Sequence, residues 1–156
     1  MFATRPLLAL LAVGVFGTSV AVAEPMTVGA VDRVQEHVDA TQAGQTRALA
    51  VSSDVYFKDR CHSGEGARLQ ATLKDGTQLT LGENATLVVD EIVYDPFRSR
   101  GELSLRVVKG AFLYTGGLIE GQSAAKVRIQ TPVAAIGVRG TTVWGAQSTR
   151  ATESSR

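Results

Sequence analysis

The chain has 156 residues, a single cysteine, and sixteen basic against fifteen acidic side chains. That length suits one domain, the near-neutral charge lacks the footprint of a nucleic-acid or anionic-membrane binder, and one cysteine excludes an internal disulfide. Stability is therefore expected from a packed apolar core, and partners are expected among proteins or uncharged surfaces.

Residues 1–23 read as an export signal. Arg5 gives the positive start, residues 7–17 the apolar centre, and Ala21, Val22 and Ala23 a small-residue cleavage site. A membrane helix competes, but about 11 strongly apolar residues fall short of the roughly 20 that a span needs. Cleavage would leave Glu24 at the N-terminus of a periplasmic or extracellular protein without stable membrane insertion. Loss of Arg5 would also bring its basic and acidic residues into balance.

Residues 24–50 carry two patterns. Val31, Val34 and Val38 lie at offsets that fit one face of a short helix. The valine-rich run 28–34 also fits a first strand, and the strand is preferred, followed by a hairpin reaching Leu49. Residues 67–73 then alternate small or apolar with polar side chains and stop at Asp75-Gly76. A second alternating arm, 78–81, makes this a hairpin, because glycine adopts the positive φ of a tight turn at little cost.

Residues 82–85 read as the next turn and 86–94 as a long strand with β-branched content. A polar loop at 95–101 precedes an alternating strand at 103–109, which Gly110 separates from a further run at 111–114. Gly116, Gly117 and Gly121 mark a flexible connection. A strand then begins at Val127, and Pro132 limits it to a sheet edge or a strand end. The expectation is an all-β single domain over 24–145, built of short antiparallel strands and hairpins as a sandwich or β-roll, with a disordered polar tail at 146–156. Leu69, Leu79, Leu81, Leu87, Val89, Leu103, Leu105, Val107, Phe112, Ile129, Ile136 and Val138 are expected to point inward.

Read together, these blocks resemble the FecR domain, a periplasmic β-rich module. The resemblance rests on Asp54-Val55-Tyr56, Asp59-Arg60, Gly66-Ala67-Arg68-Leu69, and Asp75-Gly76-Thr77 with Leu79-Thr80-Leu81-Gly82. It continues through Leu103-Ser104-Leu105, Lys109-Gly110, and Thr131-Pro132 to Ile136-Gly137-Val138-Arg139-Gly140-Thr141. In regulators of this family the domain looks like a sensor arm that receives a signal from an outer-membrane transporter. This chain looks more like the stand-alone exported members, which implies a non-enzymatic interaction or sensory module with a protein partner. Related domains continue past the Gly-Thr block, so an unpaired sheet edge near residues 129–131 is expected, and with it a homo-oligomer. The rival reading is a structural or carbohydrate-binding envelope protein that works through a sheet face.

Among single residues, Arg139 invites two readings. Its guanidinium ties local carbonyls, or a carboxylate such as Asp59 or Asp75, to the turn; or it contacts a partner that Gly137 and Gly140 allow to approach, with Thr141 beside it. Tyr94 and Phe97 flank the Asp95-Pro96 loop, where an aromatic at a tip could meet a partner. Catalytic, metal and cofactor sites are not expected. Cys61-His62 lacks the further ligands of a closed zinc site, Asp90 and Glu91 fall on opposite faces of a strand, and Gly121-Gln122-Ser123 is only part of a nucleophile elbow. Cys61 reads as a small apolar residue at the end of a strand.

Overall fold

The computed structural model describes residues 24–139 and 142–147. The export segment, Gly140, Thr141 and the tail from residue 148 lie outside the described residues. Every regular element within them is a strand, so the fold is all-β.

β1 (Thr27–Gln35) leads into the hairpin of β2 (Val38–Gln42) and β3 (Gln45–Ala48). The turn uses Ala43 and Gly44, both at positive φ. The helical offset of Val31 and Val38 is coincidental: each is buried from a strand, where valine packs well. β4 (Asp54–Tyr56) and β5 (Arg60–Ser63) follow, then the hairpin of β6 (Arg68–Leu73) and β7 (Gln78–Leu81). Gly76 takes φ 82° in its turn, as the Asp-Gly pair predicts. β8 (Thr86–Asp95) and β9 (Arg100–Thr115) form a long hairpin, and β10 (Ala124–Gln130), β11 (Ala135–Val138) and β12 (Thr142–Gln147) complete the order.

The strands run β3-β2-β5-β8-β9-β7-β6-β1-β4 across one curled sheet. β9 makes the curl possible. Its first half pairs with β8, and residues 112–115 pair with β7, so one strand serves two layers. The bend falls at Gly110, which has φ 87° and no room for a Cβ against Ala85. Residues 103–109 and 111–114 are therefore one bent strand and not the two that Gly110 suggested. Side chains from both layers, such as Leu69 and Leu79 on one and Leu87 and Leu105 on the other, meet in a single core. Each fully buried leucine or valine contributes about 1.5–3 kcal/mol.

β10 is parallel to the first half of β9, the one departure from antiparallel pairing among the described residues. A parallel neighbour needs a long crossover. Here the second half of β9 and residues 116–123 supply it, and Ile119 anchors the return by full burial against Gly101.

Two expectations fail at the C-terminal strands. Ile129 is not at an open edge, because β10 is flanked by β9 on one side and β11 on the other. Pro132 falls in the 131–134 turn of the β10–β11 hairpin, where no ladder bond is needed from it. Ile136 is 38% exposed, whereas the other eleven expected core residues are buried. Register puts Ile136 opposite the fully buried Ile129, on the same face of the sheet. It is uncovered because β11 is the outermost strand of its layer among the described residues.

Candidate binding surface

The residues expected to carry function do not gather in one place. Arg139 follows β11 and is exposed, lining with Glu120, Gly116 and Gly117 a cleft of about 540 Å3. The carboxylates expected beneath it are bonded elsewhere: Asp59 to Arg47, and Asp75 to Thr77. Those two carboxylates are thus engaged away from Arg139. Gly137 has open space where a Cβ would stand, so nothing within the described residues requires glycine there. Gly140 and Thr141 lie outside the described residues. Tyr94 packs against the core from β8, whereas Phe97 is 99% exposed in the loop beyond it. Only Phe97 occupies the loop tip, where Asp95 Oδ1 accepts from the backbone N–H of Phe97 and Arg98, both at 3.1 Å.

Sequence reasoning missed the arginine that does hold the fold. Arg47 projects from β3 and donates from both terminal nitrogens to the fully buried Asp59 carboxylate, at 2.9 and 2.5 Å. It also donates to the Asp54 carbonyl at 3.0 Å and stacks 4.5 Å above the Tyr56 ring. Asp59 accepts in turn from the Tyr56 N–H at 2.7 Å. The hydrogen bonds to Asp59 raise the Arg47 pKa above its already high ordinary value. No local pattern marks the pair, since the partners stand twelve residues apart, Arg47 on β3 and Asp59 in the connection between β4 and β5.

The other buried polar groups are likewise structural. Asp75 accepts from the Thr77 hydroxyl at 2.7 Å and its carbonyl accepts from Leu118 N–H at 2.8 Å, which pins the crossover to the β6–β7 turn. Tyr114 donates to Glu120 at 2.9 Å, and burial, aided by that bond, pushes the phenol well above its ordinary range. Cys61 lies within β5 and not at its end, and burial pushes its thiol up to about 12. A thiol so protonated at neutral pH is a poor nucleophile and metal ligand. His62 points to the opposite face and bonds Thr86 at 2.9 Å, so the two cannot share a metal.

What remains outward is the face of the layer made by β6, β7, the second half of β9 and β12. Alternation buries Leu69, Ala71, Leu79, Leu81, Phe112 and Tyr114, leaving their neighbours on the other side. Register aligns those neighbours in rungs. One rung is Gln70, Thr80, Leu113 and Trp144. The next is Thr72, Gln78, Thr115 and Thr142. Trp144 is 80% exposed on this face, and Phe112 on the inner side leaves room only for Gly145 beside it. Exposure alternates through residues 142–146 although the sequence there does not alternate polar with apolar residues, so only the neighbouring strands give Trp144 its meaning.

The described residues form an all-β module with a closed apolar core whose buried polar side chains are bonded internally. Residues 59–155, more than half of the chain, match the family described as FecR protein. The chain belongs to the FecR family, and that membership supports a signalling or sensory module. Comparison with curated proteins and with solved structures gives no match.

Proposed function

We propose that this chain is an exported, non-enzymatic sensory module that receives a protein partner along β11. The observation that carries the reading is Ile136: a side chain on the core-facing side of a strand, yet 38% exposed. β11 pairs only with β10 among the described residues, so its other edge presents free backbone N–H and C=O groups. An extended segment of a partner laid beside β11 would satisfy those groups and cover Ile136 at once, the usual mode of strand addition. Periplasmic location follows from the export signal in residues 1–23. The family supports a sensory role for such a contact.

The test is capture from a periplasmic fraction by the purified chain and by Ile136→Lys. A partner retained by the wild type and lost by the variant, at unchanged melting temperature, is the expected result. Retention by both variants overturns the docking site. Mass spectrometry of the exported product should show Glu24 at the N-terminus, and an uncleaved product overturns the location.

A further inference from the structure

We propose that the outer face of β6, β7, β9 and β12 is a platform for a neutral glycan chain. This surface is separate from the β11 edge and does not depend on that docking site.

The chemistry of the face selects the ligand. Gln70, Gln78, Thr80 and Thr115 present amides and hydroxyls on this face, and each can both donate and accept. A pyranose presents the complement: hydroxyls around its rim and an apolar C–H surface above and below. Trp144, with its exposed indole beside Leu113, offers the flat apolar surface on which such a ring stacks while hydroxyls reach the amides.

Shape and charge agree with this. Two shallow clefts, of about 360 and 230 Å3, share Gln70 and Thr80 and so run into each other across β6 and β7. Three strand steps carry the face from β6 to Trp144, about 14 Å, which suits an oligosaccharide better than a single sugar. The outward positions of β7, β9 and β12 in these rungs carry no charge; charged side chains stand on the β6 and β1 side, where Arg68 and Asp32 line the clefts and Arg33 pairs opposite Gln70. Trp144 and Leu113 thus stand on the uncharged part of the face, which suits a neutral ring.

Trp144 is the only tryptophan, so intrinsic fluorescence reports on this face directly. The purified chain is titrated with hexaoses of β-linked glucose, β-linked N-acetylglucosamine and β-linked xylose. A saturable change in Trp144 emission with at least one of them is expected. Calorimetry should then show affinity about tenfold weaker for Trp144→Ala, and weaker by a similar factor for Gln70→Ala combined with Thr80→Ala. Melting temperatures of these surface variants should match the wild type.

Absence of a saturable response to all three sugars, or undiminished affinity in Trp144→Ala, overturns the proposal. So does a protein captured from the envelope that buries Trp144, since the face would then be a protein interface. Ile136→Lys should bind the hexaose as the wild type does. Glycan binding without partner capture would sink the β11 reading alone, and capture without glycan binding would sink this one alone.

Discussion

β3 and β11 lie at opposite ends of the same layer, and they are finished in opposite ways. On β3, Arg47 reaches across to Asp59, the Asp54 carbonyl and the Tyr56 ring, so the strand is anchored to the segment 54–59. Beyond β11 stand an exposed arginine, Arg139, and a core-side isoleucine left open. Edge strands are a liability that proteins blunt with charge, brevity or cover. Both strands leave an outer edge unpaired among the described residues, but β3 is anchored by an ion pair to a fully buried carboxylate and β11 is not. The difference separates an anchored end of the layer, β3, from an unanchored one, β11, where the proposed partner would dock.

Removing Asp59 should break this contrast most severely. Asp59→Ala strips both arginine bonds and the acceptor of the Tyr56 N–H, and leaves Arg47 without its buried counter-ion. Breaking a buried pair from one side costs about 3 kcal/mol, the lower end of the range because Arg47 is in part solvent-exposed. Thermal unfolding should shift down by about 10 °C. A shift within error would mean that β3 is held by its ladder bonds alone.

Arg47→Lys sharpens the same point, because it keeps the charge and removes the planar fork. Lysine can hold one Asp59 oxygen but cannot also reach the Asp54 carbonyl and stack on Tyr56. A loss of about 1.5 kcal/mol is expected by chemical denaturation, through the bonds it forfeits. Full stability in the lysine variant would show that charge, and not geometry, anchors this strand.

The thiol of Cys61, one strand in from β2, gives a pH readout of the anchored side. Its ordinary value of 9.0 is raised to about 12 by burial in the native state. The unfolded chain therefore ionises first as pH rises, so this stabilisation is complete below about pH 9 and is lost progressively toward about pH 12. Urea unfolding should show a loss of about 1 kcal/mol between pH 9 and pH 10 from this group. Cys61→Ala should flatten that part of the pH profile. Tyr114, raised in the same direction, adds its loss at higher pH.

Much of the curl was legible because each strand announces itself. The alternation of residues 67–73, the Asp-Gly turn and the second arm at 78–81 fix a hairpin from local chemistry alone. Gly110 was legible as a special position but not as a bend, since a break and a pivot both call for glycine at positive φ. The partner of Asp59 was not legible at all. Nothing in the spacing of Arg47 and Asp59 brings them together; only the pairing of β2 with both β3 and β5 does so. The platform beneath Trp144 was hidden for the same reason, since a rung is made of residues from four strands. Ile136 was misplaced because alternation tells which face a side chain takes, and not whether a second layer reaches far enough to cover it.

The smallest expected effect is the one that tests the unanchored end most directly. Arg139 is exposed beside a cleft, and Asp59 and Asp75, the carboxylates expected to anchor it, are bonded to other groups. Arg139→Lys should therefore alter stability by less than about 0.5 kcal/mol, as surface substitutions do. Measured beside Arg47→Lys, it places the same chemical change at the two ends of one layer. Equal losses would mean that Arg139 also grips a buried acceptor, and β11 would then be as firmly anchored as β3. A silent Arg139→Lys with a destabilised Arg47→Lys keeps the division intact, with Arg139 and Ile136 left on the side of the molecule where a partner can use them.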